Sequence, residues 1–142
     1  MHIIKEKDIS MYMDIAYRVS QRSYAKRLKV GCVIEKDHSI VSFGWNGMPA
    51  GYDNCCEHID ANGNEVTNVE VQHAELNAIG KAAKAGISTN NATLYITHSP
   101  CMECAKIILV SGIKAVYFKE VYRDDYGIDF LKTNGIYVEQ VK

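Results

Sequence analysis

Proline is all but missing from this chain, at two residues in 142, and no Pro-, Gly- and Ser-rich stretch divides it. Without such a linker there is no boundary to place, so residues 1–142 are expected to form one ordinary domain. No apolar run approaches the ~18–20 residues that a membrane span requires. Neither sign of charge dominates, since 16 Lys and Arg stand against 17 Asp and Glu for a formal net charge of −1. With no polycationic footprint for a nucleic-acid backbone, no nucleic-acid partner is expected. The opening MHIIKEKD reads as too charged and too short for a secretory leader. Five cysteines, an odd number, fit no closed disulfide framework. These absences point to a soluble, cytoplasmic protein. Hydrophobic residues at 47% and charged ones at 23% argue that it folds.

Hydrophobic periodicity supplies the elements. Asp8 is a plausible N-cap for a helix to about Tyr24, with Ile9, Tyr12, Met13, Ala16 and Val19 at three- and four-residue steps. Val30–Glu35 and Ile40–Trp45 read as a hairpin around the polar turn from Lys36 to Ser39. Residues 46–72 show no period and read as a long loop, of a length that is usually functional or partly disordered. A helix resumes at His73 and stops at Gly86. Strand Thr93–Thr97, helix Cys101–Ser111, strand Ala115–Lys119, helix Asp125–Thr133 and strand Ile136–Val141 then alternate. Such an order predicts an α/β fold: a three-layer α/β/α sandwich around a mixed five-stranded sheet.

The chemistry sits where helices begin. His73-Ala74-Glu75 opens one helix and Pro100-Cys101-Met102-Glu103-Cys104 the next. One imidazole and two thiolates make three ligands, the open set that leaves a tetrahedral Zn²⁺ one position for water. The helix dipole and free N–H groups at a first turn favour thiolate over thiol. Glu75, two residues from His73, suits a carboxylate beside the metal-bound water and off the metal, where it can shuttle a proton. Joined in this order, the two motifs match the zinc-deaminase signature H-x-E…P-C-x-x-C, whose reaction is hydrolytic deamination of an amine-bearing ring carbon.

The wider sequence is more specific. Phe43-Gly44-Trp45-Asn46-Gly47-Met48-Pro49-Ala50-Gly51 resembles the G-[YW]-N-G-x-P-x-G segment of deoxycytidylate (dCMP) deaminases, in the cytidine deaminase-like superfamily. His73 to Ile79 is similar to that family's HAE-x-NAI helix, and Thr93 to Thr97 and Ser99 to Lys106 to its TLY-x-T and SPC-x-x-CAK segments. The resemblance implies the cytidine deaminase-like sandwich, catalytic Zn²⁺ on His73, Cys101 and Cys104, and Glu75 as proton shuttle. It further implies that Asn46 contacts the sugar and the Ala74 N–H holds the pyrimidine carbonyl. The Ser99 carbonyl would accept from the exocyclic amine, with Tyr122 beside the substrate. A nucleotide also needs cations for its phosphate, and Arg27 and Lys29 are chosen from the basic run that starts at Arg22. By the same resemblance the substrate is dCMP, the product dUMP is a thymidylate precursor, and dCTP is a further possible substrate. Family members form homo-oligomers, many of them hexamers, activated by dCTP and inhibited by dTTP. The effector residues would be Trp45, Gly47, Asp53 and Asn54. Some relatives carry an extra zinc, for which Cys55, Cys56 and His58 are the candidate ligands here.

Three other readings stay open. A nucleoside, guanine or tRNA-adenosine deaminase would share the motifs. A zinc module without catalysis would have no use for Glu75. A dithiol redox protein would leave the Cys101–Cys104 pair free of metal.

Overall fold

In the computed structural model, which describes residues 4–142, the first apolar stripe becomes α1 (Glu6–Ser20). Lys5, not Asp8, occupies its N-cap, and Asp8 lies inside the first turn with its N–H on the Lys5 carbonyl at 3.0 Å. There Glu6 and Asp8 serve the positive end of the helix dipole and Arg18 the negative end. The helix stops at Ser20, short of Tyr24, and an irregular segment carries the chain to the sheet.

That sheet has the order β2-β1-β5-β6-β7, where β1 is Gly31–Lys36, β2 Ser39–Trp45, β5 Thr93–His98, β6 Ala115–Glu120 and β7 Tyr137–Gln140. β1 runs antiparallel to β2 and β5, and β5, β6 and β7 run parallel. On one face Tyr12, Met13 and Ala16 of α1 pack against Val33, Tyr95 and Tyr117. The other face is covered by α2 (Ala74–Lys84), α3 (Met102–Val110) and α4 (Tyr126–Thr133). Their Ala78, Ile108 and Leu131 meet Ile34, Leu94, Ile96 and Val116 in the larger core. The five-stranded mixed sheet with helices on both faces is the expected α/β/α sandwich.

Residues 46–72 are not all loop. β3 (Glu57–Ile59) and β4 (Glu65–Thr67) form a small antiparallel hairpin apart from the main sheet. A two-bond bridge between Gly47 and Gln72, at 3.0 and 2.8 Å, closes the whole excursion and returns the chain to His73. α2 is then pressed onto β2. A Cβ on Gly44 would fall 2.6 Å from both the Ala74 carbonyl oxygen and the Ala78 nitrogen, so only glycine lets the two backbones meet. Ser42 Oγ donates to the Ala78 carbonyl at 2.7 Å, and Asn77 Nδ2 to the Trp45 carbonyl at 2.8 Å. These contacts fix the start of α2, where the H-x-E motif lies.

Candidate active site

Ligands in an α/β sheet collect beyond the carboxyl ends of the parallel strands. Here β5 runs out into Ser99, Pro100 and Cys101, and β6 into Val121, Tyr122 and Arg123. The N-termini of α2 and α3 converge on the same place. His73 is the N-cap of α2 and Cys101 the N-cap of α3, both extended, so Cys101 precedes its helix and Cys104 lies in the first turn. Their first-turn N–H groups have no helical acceptors and make the locale electropositive.

His73, Cys101 and Cys104 come together with ligand atoms all within 4.8 Å, the one such cluster among the described residues. His73 Nδ1 stands 3.3 Å from Cys104 Sγ and 3.7 Å from Cys101 Sγ. Bonds of about 2.0 Å to nitrogen and 2.3 Å to sulfur at tetrahedral angles require an N···S edge of about 3.5 Å. The donor set and its edges therefore fit a tetrahedral N/S site with one position to spare. As a dithiol the pair shares a proton. The hydrogen bond from Cys104, then that from His73, pulls Cys101 down to about 3. Cys104 is pushed up by that same bond and by burial, while the His73 imidazolium is favoured chiefly by its bond to Cys101.

Glu75 is buried at 4% exposure on the first turn of α2, and burial pushes its carboxyl up to about 7. It interacts with both His73 and Cys104. A carboxyl held near neutrality beside a metal-ligand cluster is a group that can both take and return a proton.

His73, Glu75 and Cys101 line a cavity of about 520 Å³ together with Ala74, Asn46, Ser99, Tyr122 and Arg27, while Cys104 is buried and not part of its wall. Asn46 spends its amide on the loop before β1, its Oδ1 accepting from the Val30 N–H and its Nδ2 donating to the Leu28 carbonyl, both at 2.8 Å. Ser99 Oγ accepts the Tyr122 N–H at 2.8 Å, tying the ends of β5 and β6 together. Lys29 is not brought to the cavity. Leu28 and Val30 on either side line it, while Lys29 itself is exposed and not part of the wall.

Glu57, Thr67 and Arg123, which no sequence motif marks, also line the cavity, and so does His98, whose closeness to the metal motif in sequence makes it a possible lining residue without a role. Arg123 is the most consequential, a second cation at the cavity with a left-handed φ of 62° and its guanidinium 4.8 Å above the Tyr122 ring. Position alone could have signalled it, as a cation just past the carboxyl end of a parallel strand. Burial lowers the His98 imidazole, whose Nδ1 lies 3.0 Å from Thr97 Oγ1.

Trp45, Gly47, Asn54 and Cys56 line a second cavity of about 770 Å³, with Lys81 and Lys84 of α2. Asp53 is not among its walls and accepts the Cys55 N–H at 2.8 Å. The additional metal set finds no cluster. Adjacent residues diverge, leaving Cys55 exposed with its Sγ on the Glu57 carbonyl and Cys56 buried with its Sγ on the Asn54 carbonyl. His58 Nδ1 instead meets Asn68 Oδ1 at 2.5 Å. All five cysteines are free, and among the described residues no helix is long and apolar enough to cross a membrane.

Residues 6–120 match the family described as the cytidine and deoxycytidylate deaminase zinc-binding region. The chain is 37% identical over 171 residues to the deoxycytidylate deaminase of Enterobacteria phage T4, covering 93% of this chain and 89% of that one. It is 36% identical over 136 residues to the ComE operon protein 2 of Bacillus subtilis, at 92% and 69% coverage. Among solved structures it superposes, at a TM-score of 0.91, on dCMP deaminase from the cyanophage S-TIM5 in complex with dCMP and dUMP. That protein is 43% identical, with 98% of this chain and 100% of the other covered.

Proposed function

We propose, from the premise that this chain belongs to the cytidine and deoxycytidylate deaminase zinc-binding family, that it hydrolyses dCMP to dUMP and ammonia. The observation that carries the reading is the buried Glu75 carboxyl set against the His73–Cys101–Cys104 cluster, with Glu75, His73 and Cys101 on the wall of one cavity. A dithiol redox site has no need of that carboxyl, and a closed structural metal site would take a fourth protein ligand.

His73, Cys101 and Cys104 would hold Zn²⁺, which supplies Lewis acidity toward the attacking water when bound. The remaining work belongs to the chain's own groups. Glu75 takes one proton from the water and delivers it to the ring nitrogen, where it stays in the product, then passes the second, from the hydroxyl added to the ring carbon, to the departing amine. The Ala74 N–H, free at the first turn of α2, holds the pyrimidine carbonyl, and the Ser99 carbonyl receives the exocyclic amine. Asn46 stands at the sugar and Tyr122 beside the nucleotide. Arg27 and Arg123 are the cations for the phosphate. Choice of dCMP is supported by the deoxycytidylate deaminases among its relatives and by the cyanophage enzyme's complex with dCMP and dUMP.

The finer reading extends to regulation and place. The second cavity, with Trp45, Gly47, Asn54 and two lysines, suits an anionic effector, and dCTP activation with dTTP inhibition is assigned to it. We place the enzyme in the cytoplasm as a homo-oligomer, supplying dUMP for thymidylate, with residues 1–142 acting as one domain.

A zinc-verified sample assayed by loss of ultraviolet absorbance on dCMP, deoxycytidine, CMP and dCTP tests this. Preferred turnover of dCMP supports the reading. Turnover of none of the four, with zinc present, overturns it.

A further inference from the structure

Between Ser20 and β1 the chain has no regular structure, yet this segment brings Ala25, Arg27, Leu28 and Val30 to the cavity. Two side chains from elsewhere hold it. Asn46 ties down its later part, at Leu28 and Val30. Its earlier part hangs on Glu57 of β3, whose Oε2 accepts the N–H of Lys26 at 2.9 Å and of Arg27 at 3.2 Å. Directly across the hairpin from Glu57 is Thr67, whose Oγ1 accepts from Arg27 Nη1 at 3.3 Å. One pair of facing hairpin residues thus grips both the backbone and the guanidinium of Arg27.

Glu57 is an expensive way to make that grip. Its side chain is buried at 7% exposure, and Oε1 has no hydrogen-bond partner. Burying a carboxylate oxygen unpaired costs stability. A negative charge in the wall of a cavity meant for a phosphate also opposes the ligand. Neither feature helps a hairpin fold, and neither helps bind an anion directly. What Glu57 does supply is an acceptor for two consecutive N–H groups that point away from any regular partner.

We infer that Glu57 is a positioning residue for phosphate recognition: through the Lys26 and Arg27 backbone it sets Arg27 toward the 5′-phosphate, with Thr67 fixing the guanidinium. The β3–β4 hairpin is then the element that discriminates nucleotide from nucleoside. This rests on the dCMP deaminase reading. A zinc-loaded wild type that leaves dCMP unchanged would sink that reading before any variant is compared.

The test measures KM and kcat for dCMP and the inhibition constant of deoxycytidine as a competitor, which lacks the phosphate. Glu57→Ala is expected to raise KM for dCMP about tenfold, with kcat and the deoxycytidine constant within about twofold, the size of a lost charged hydrogen bond. Glu57→Gln keeps an acceptor oxygen and sheds the opposing charge, so it should hold the wild-type KM or lower it. Thr67→Val, at an exposed site that tolerates change, should raise KM for dCMP about threefold. In the Arg27→Ala background, Glu57→Ala should add nothing further. A parallel loss of dCMP and deoxycytidine binding in Glu57→Ala would overturn the inference, as would a full additional loss on top of Arg27→Ala. Should Glu57→Ala fail to fold, an unchanged KM in Thr67→Val together with a raised KM in Glu57→Gln would overturn it equally.

Discussion

Replacing Glu75 by glutamine changes almost no volume and removes one capacity, that of accepting a proton and giving it back. The residue is buried at 4% exposure on the first turn of α2, against Ala74, whose side chain is wholly buried. An isosteric amide should therefore keep the helix start, the His73 position and the metal site. The three ligand atoms do not include the carboxylate, so stoichiometric zinc is expected to remain. Catalysis should not survive. One positioned acid–base group contributes roughly 10²–10⁴-fold. Glu75 is asked to move one proton to the ring nitrogen and a second to the amine, which places the loss at the upper end. About 10⁴-fold corresponds to roughly 5.4 kcal/mol at 1.36 kcal/mol per decade. The assay is ultraviolet turnover of dCMP at saturating concentration, with zinc content and thermal melting measured on the same sample. A variant within tenfold of wild type, zinc retained, would refute the role given to Glu75. Loss of zinc with the fold intact would instead make Glu75 a ligand.

Other perturbations follow from the same geometry. Stripping the metal with a chelator should stop turnover and lower Tm, since a ligand held by the folded state alone at 1,000 times its Kd adds about 4 kcal/mol. Readdition of zinc should restore both, and an unchanged Tm would contradict the ligand set. Gly127→Ala would place a Cβ 2.2 Å from the Pro100 carbonyl oxygen and 3.0 Å from the Cys101 carbonyl carbon. Forcing α4 off that turn should cost about 1–3 kcal/mol by overpacking and reduce zinc occupancy, read by melting and metal analysis. Arg123→Ala should lower kcat/KM for dCMP by about tenfold, with a smaller effect on deoxycytidine, as expected for a charged hydrogen bond to phosphate.

Legibility in the sequence followed the physical range of each signal. The H-x-E and C-x-x-C motifs are readable because two helix starts and four side chains of three types carry them, and α2 and α3 begin one residue beyond His73 and Cys101. The parallel strands were readable as apolar runs between helices, and Gly86 and Gly112 as stops, both at positive φ. The β3–β4 hairpin escaped because three-residue strands are too short to show a period of two, and Glu57 and Thr67 went unnoticed with it. The end of α1 was overrun because its apolar stripe has no stop residue at Ser20. It ends where the chain turns toward β1, and Ser20 Oγ bonds back to the Tyr17 carbonyl at 2.5 Å. That Arg123 lines the cavity and Lys29 does not is a tertiary matter, since only the fold decides which cation faces the cavity.

The most direct test of the central claim is product analysis of dCMP incubated with zinc-loaded and metal-stripped protein, measuring dUMP and ammonia together. Equal amounts of both from the zinc-loaded sample, and neither from the stripped one, is the predicted result. Absence of ammonia from protein holding one zinc per chain would contradict it, and so would equal rates with and without the metal.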